Sequence, residues 1–282
     1  MILVFGSSGQ VASELKLLLQ DAVFWGREEI DLLTETELAA KIEAVRPDGI
    51  INAAAYTAVD RAEEEVEAAF RINAGAPSEM AHAASRLGVP MVHISTDYVF
   101  DGRGEKAFLP EAAPDPLGAY GRSKLAGEQA VRDSGATFAI MRTSWVFSEH
   151  GANFLKTMLR LSEERDHLKI VGDQVGGPTP AGAIAMACVN ILQDLKNDQT
   201  KSGVYHFAGT PDVSWADFAR EIFRQAERAV TVEDIPTSEY PTPATRPANS
   251  RLDCSSLSVF DLERPDWKAA VTDTLLKLEV IS

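Results

Sequence analysis

Five short apolar runs punctuate the first half of the chain, at residues 2–5, 22–25, 49–53, 91–94 and 138–141. Each is too short for a helix and lacks the alternation of a strand with one wet face, so each reads as a strand buried on both sides. Between them apolar residues recur at helical spacing, which predicts helices over 11–20, 35–45, 62–84 with a break at Pro77, and 119–133. Strand and helix in alternation predict a parallel, doubly wound α/β sheet. Beyond about residue 150 the rhythm changes: helices near 153–164, 181–195 and 215–229 alternate with short strands and proline-rich turns. The expected division is 1–150 as one domain and 151–282 as a smaller, mixed α/β lobe, some of whose segments return to the first domain. Residues 240–251 hold three prolines and two arginines and read as an ordered loop or a linker.

Composition narrows the partners. The 282 residues carry 27 Lys and Arg against 42 Asp and Glu, a net charge of −15. Nucleic acid and anionic membrane surfaces are bound by basic patches, so neither is expected, and a small molecule is. No apolar run approaches the roughly 20 residues that cross a bilayer, no basic leader opens the chain, and Cys188 and Cys254 lack a CxxC spacing. A cytoplasmic protein with reduced thiols is expected. The five histidines are scattered, and no metal site is expected.

The first strand runs into Gly6-Ser-Ser-Gly9-Gln10-Val11-Ala12, which opens a helix. Gly6 permits the tight turn, Gly9 lets backbone N–H groups approach a pyrophosphate, and Ala12 allows close helix–strand packing. This strand–turn–helix context is that of a dinucleotide-binding Rossmann domain. After the second strand comes Gly26-Arg27, where NAD enzymes place an acid on the ribose 2′-hydroxyl. A guanidinium there suits a 2′-phosphate, so NADPH is expected, with NADH still open. The third strand ends in Ala53-Ala54-Ala55, small residues against which a flat ligand can lie.

Tyr120 and Lys124 stand at i and i+4 on one helix face. A neighbouring cation stabilises phenolate, so the pair can pass a proton to or from a carbinol oxygen. The fourth strand ends in Thr96-Asp97-Tyr98, at the sheet edge where α/β ligands bind; Thr96 can donate to a developing oxyanion, and Asp97 can orient a hydroxyl or tune protonation.

Taken with Asn52-Ala-Ala-Ala-Tyr-Thr-Ala-Val-Asp60, Ser95-Thr-Asp-Tyr-Val-Phe-Asp-Gly102, Tyr120-Gly-Arg-Ser-Lys-Leu-Ala-Gly-Glu128, Arg142-Thr-Ser-Trp-Val-Phe147 and the tail from Pro241 to Leu252, these motifs make the chain resemble the dTDP-4-dehydrorhamnose reductases, extended short-chain dehydrogenase/reductases. The resemblance implies reduction of dTDP-6-deoxy-L-lyxo-4-hexulose to dTDP-L-rhamnose, with hydride delivered to C4. It implies Tyr120 as proton donor, Lys124 as its partner, and Thr96, Asp97 and Tyr98 on the substrate, with Trp145 packed against it. It implies cofactor contacts on Gly9, Gln10, Val11, Asp31, Leu32, Ala53, Ala54, Ala55, Tyr120 and Lys124, beside Gly6 and Arg27 read from the loop and the second strand. Arg246 and Arg251 can then neutralise the diphosphate of a nucleotide sugar.

Some members of that family dimerise around Mg²⁺ held by carboxylates of the first helix, a substrate-lobe helix and the C-terminal helix. Glu14 fits the first, but residues 181–193 hold no acid and Lys277 falls near the third, so no Mg²⁺ and a monomer or weak homodimer are expected. Nucleotide-sugar dehydratases and epimerases share the glycine loop and YxxxK. Dehydratases follow the threonine with Asp-Glu, where this chain has Asp97-Tyr98. The non-catalytic alternative is a regulatory subunit like that of methionine adenosyltransferase, which resembles the same reductases.

Overall fold

Each of the five apolar runs is a strand. In the computed structural model, which describes residues 1–281, they are β1 (Ile2–Phe5), β2 (Val23–Trp25), β3 (Gly49–Asn52), β4 (Met91–Thr96) and β5 (Phe138–Thr143). The helices between them are α1 (Gln10–Leu18), α2 (Leu38–Val45), α3 (Val66–Phe70), α4 (Ala76–Leu87) and α5 (Ala119–Asp133). The second half adds β6 (Val146–Phe147), α6 (Phe154–Ser162), β7 (His167–Val171), β8 (Val175–Gly176), β9 (Thr179–Pro180), α7 (Ala181–Asn197) and β10 (Gly203–His206). It ends with β11 (Val213–Ser214), α8 (Trp215–Gln225), β12 (Thr231–Ile235), β13 (Asn249–Ser250) and α9 (Trp267–Lys277).

The main sheet runs β2-β1-β3-β4-β5-β10, all parallel. The chain steps outward in opposite directions from β1 and β3, which makes the crevice above that pair the switch point where such sheets bind ligands. Alternate strand residues feed two cores. Val4, Ile51, Val92 and Met141 pack under α1 and α7, with Leu15, Ile184 and Ile191. Leu3, Phe5 and Ile50 pack on the opposite face, with Leu38 and Ile42 of α2 and Met80 of α4. Both faces are covered, as the uninterrupted apolar runs require. A third core joins α6, α8 and α9 around Phe218 and Trp267. Among the described residues no helix is long and apolar enough to cross a membrane.

Pro77 does not break its helix. A π-helical stretch, Arg71–Gly75, links α3 to α4, and Pro77 is the second residue of α4. The wider π turn just before it leaves room for the proline ring, so the helix passes through Pro77 unbroken. The sixth strand of the sheet, β10, and the last helix, α9, are not marked by the apolar pattern.

Two features seat α5 against the sheet. Its first amide, that of Ala119, donates to the Glu63 carboxylate at 2.7 Å. A Cβ on Gly121 would stand 2.2 Å from the Tyr98 carbonyl oxygen, so only glycine lets this helix reach the strand that carries Thr96.

Candidate active site

A cleft of about 890 Å³ opens at the carboxyl ends of the strands. It gathers residues from six segments: Gly6, Gly9, Gln10 and Val11; Arg27, Asp31 and Leu32; Ala53, Ala54 and Ala55; Thr96, Asp97 and Tyr98; Tyr120 and Lys124; and Trp145. Sixteen of the eighteen residues named from the sequence therefore share one cavity. Arg246 and Arg251 do not line it. Arg246 is drawn to Asp60, Nη2 to Oδ2 at 2.6 Å, and Arg251 donates to Asn249 Oδ1 at 3.0 Å.

One wall is built for an anion. Gly6 takes a φ of +102°, and Gly9 caps α1 with no side-chain hydrogen bond and no acid in the first turn. The first N–H groups of a nine-residue helix therefore face the cleft without an internal anionic partner. At the end of β2, a Cβ on Gly26 would lie 1.9 Å from Ser7 Oγ. The loop serine thus fills the space an acidic side chain would need, and the nearby Glu29 carboxylate accepts the Gly26 N–H at 2.8 Å. Arg27 is exposed at the rim, and Asp31 accepts the Leu33 N–H at 3.0 Å.

The opposite wall carries the proton chemistry. Tyr120 is 9% exposed and Lys124 1%, one turn apart on α5. Burial pushes the phenol far above its ordinary value, while the approaching Thr96 hydroxyl acts the other way. Burial pushes the Lys124 ammonium down to about 8, opposed by the Glu128 carboxylate. Thr96 Oγ1 donates to Asp97 Oδ1 at 3.0 Å. Asp97 Oδ2 is buried without a partner, and burial raises this carboxyl to about 6 even though Ser250 lies close enough to favour the charged form. Tyr98 stands edge-on to Tyr120, ring centres 5.4 Å apart. A neutral phenol beside a hydroxyl donor is equipped to protonate an alkoxide and to hold its charge as it forms.

Trp215, Ser148, Asn153, Glu149 and His150 are not singled out in the sequence, yet they support the site. Trp145 adopts a left-handed φ of +50° and stacks on Trp215 with ring centres 3.6 Å apart, so Trp215 from α8 braces a residue of strained backbone at the cleft. Gln10 Oε1 accepts from Ser148 and Asn153, tying the glycine loop to the segment after Trp145. Beneath α5, Arg142 grips Glu128 through two bonds of 2.9 and 2.6 Å, both side chains fully buried. Glu14 finds its acidic company outside the segments considered in the sequence: Glu149 and His150 join it, their ligating atoms within 4.8 Å. Both come from the loop after β6, and the Lys277 ammonium enters the group 2.7 Å from Glu149.

The chain matches the family model described as the RmlD substrate binding domain over residues 1–280. It is 42% identical over 275 residues to the dTDP-4-dehydrorhamnose reductase of Sinorhizobium fredii, covering 94% of this chain and 93% of that one. Among solved structures it is similar to a Clostridium acetobutylicum dTDP-4-dehydrorhamnose reductase, with a TM-score of 0.91 and 34% identity over 99% of both chains. The Bacillus anthracis dTDP-4-dehydrorhamnose reductase, solved in complex with NADP, gives a TM-score of 0.90 and 33% identity over 98% of both chains. With its glycine loop, its Tyr120–Lys124 helix and its strand-end threonine in one cleft, the chain belongs to the dTDP-4-dehydrorhamnose reductase family.

Proposed function

We propose that this chain reduces the C4 ketone of dTDP-6-deoxy-L-lyxo-4-hexulose to give dTDP-L-rhamnose, using NADPH. The observation that carries the reading is the neutral, buried Tyr120 beside Thr96, across the cleft from the uncapped start of α1. The site fits the dinucleotide: the α1 amides and Ser7 would hold its phosphates, Arg27 its 2′-phosphate, and Ala53–Ala55 the flat rings. Bound there, NADPH supplies the hydride to C4. Tyr120 gives its proton to the oxygen that becomes the C4 hydroxyl. Thr96 turns its hydroxyl from Asp97 to donate to the same oxygen while its charge builds. Trp145 packs on the sugar. Arg246, held by Asp60 and set against Tyr98, is the remaining guanidinium for the diphosphate and would have to leave Asp60 to reach it; Arg251 is withdrawn to Asn249.

A dehydratase needs a second carboxylate after Asp97, and the phenol of Tyr98 stands there instead. Incubation with NADPH and the 4-keto sugar tests the reading. Loss of nicotinamide absorbance that requires both reagents, with dTDP-L-rhamnose as product, is expected. NADPH binding without turnover would overturn it in favour of a regulatory, non-catalytic role.

A further inference from the structure

Lys124 Nζ has one short hydrogen bond, to the Ile94 carbonyl at 2.7 Å. Its other polar neighbour across the sheet is His93 of β4, whose Nε2 lies 3.5 Å away. Histidine 93 is fully buried, and its Nδ1 lies 2.9 Å from Asn52 Nδ2 at the end of β3. The orientation of the Asn52 amide is fixed on its far side, because Oδ1 accepts the Ala54 N–H at 3.1 Å. The amide nitrogen therefore faces the imidazole, and Nδ1 must accept. Burial and the lysine charge both push His93 well below its ordinary value, so the ring is neutral. A neutral ring with a bare Nδ1 carries its hydrogen on Nε2, pointing at the lysine.

The charged group that acts on Nζ from its own helix is Glu128, while Tyr120 stands one turn earlier on α5 and lines the same cleft. The Glu128 charge is already taken up by Arg142 of β5 and Ser95 of β4. No full counter-charge is therefore reserved for Lys124.

We propose that His93 is a positioning residue for proton return: held as the Nε2–H tautomer by Asn52, it works against a settled ammonium on Lys124 and makes that lysine the donor that re-protonates Tyr120 after each reduction. The inference rests on the reductase reading for the step it serves. The balance is simple: Tyr120 loses its O–H proton to the C4 oxygen, the phenolate is re-protonated within the cleft at the expense of the Lys124 ammonium, and the amine recovers a proton from water. A site tuned in this way keeps tyrosine in its acid form, the form that reduction consumes.

Two measurements on the full, cofactor-free chain need no turnover. Nitrogen-15 spectra of labelled histidine are expected to show His93 protonated on Nε2 with Nδ1 bare. The Lys124 midpoint, followed through labelled lysine ε-carbons, is expected to rise by about one pH unit or more in Asn52→Asp, whose carboxylate takes an Nδ1–H and turns the Nε2 lone pair toward the ammonium. It is expected to rise also in His93→Leu, which removes the opposing N–H without adding charge. The alkaline limb of kcat should move with it. An Nδ1–H tautomer in the parent, or variants that lose turnover with the midpoint and alkaline limb unmoved, would overturn the proposal. A parent that shows the tautomer and the low midpoint but does not reduce the sugar would instead overturn the reductase reading.

Discussion

Tyr120 and Thr96 touch the same forming hydroxyl in different capacities, so their removal separates proton transfer from charge stabilisation. Tyr120→Phe keeps the packed ring and deletes the transferable proton; kcat should fall by about 10²–10⁴-fold with NADPH affinity retained in a fluorescence titration. Thr96→Val deletes one donor to the oxyanion and should cost about 10–10³-fold. A larger loss from Thr96 than from Tyr120 would exchange the roles. Arg27 supports a second expectation. With Ser7 filling the space of an acid at position 26 and Glu29 engaged by the Gly26 amide, the exposed Arg27 is the group placed to take a 2′-phosphate. NADPH should be preferred over NADH by roughly ten- to a hundredfold in kcat/KM, and Arg27→Ala should erase most of that while leaving NADH kinetics nearly unchanged. Equal kcat/KM for the two cofactors in the parent would remove Arg27 from the site.

Among the elements, α1, α9 and the loop after β6 meet at Glu14, Lys277 and Glu149. Burial, and then the Glu149 charge, raise the Glu14 carboxyl above its ordinary value, while the Lys277 ammonium supplies an internal positive charge. Activity should therefore survive EDTA. Lys277→Met should make the cluster dependent on an added divalent cation, read as a rise in Tm with Mg²⁺ that the parent lacks; loss of activity from the EDTA-treated parent, restored by Mg²⁺, would show that the lysine does not do the cation's work. This cluster also marks the limit of the sequence. Buried strands and the α5 helix were legible because a two-sided apolar strand and a Tyr–Lys pair one turn apart are local patterns. Glu149 and His150 were not, because only the path of the loop after β6 brings them to Glu14. Strand β10 ends in Tyr205 and His206, too short and polar to advertise its pairing with β5. The π-helical stretch before Pro77 is likewise set by packing, with the Asn73 carboxamide bonded to Tyr56 rather than by any local preference. Arg251 misled because a proline-rich loop offers no periodicity from which to infer where its side chains go.

At the level of the molecule, the cleft costs stability that pH should reveal. Asp97 titrates at about 6 in the fold against an ordinary 3.8, so the fold binds its proton more tightly than the unfolded chain does. Its contribution is fully present below about pH 4 and is lost as pH rises through about 6. Asp97→Asn should therefore be more stable than the parent at about pH 8, by up to about 3 kcal/mol, with no gain at about pH 4, measured by urea unfolding at both. An equal gain at both would assign the effect to packing instead. The closing of the sheet by a late strand bears on how the protein is made. The core that holds Val4, Ile51 and Met141 is roofed by Ile184, Ile191 and Leu195, and the edge of β5 is paired only by residues 203–206. On the ribosome that face of the earliest strands is covered by α1 alone until roughly three-quarters of the chain has emerged, so a half-roofed apolar surface is open to a chaperone during synthesis.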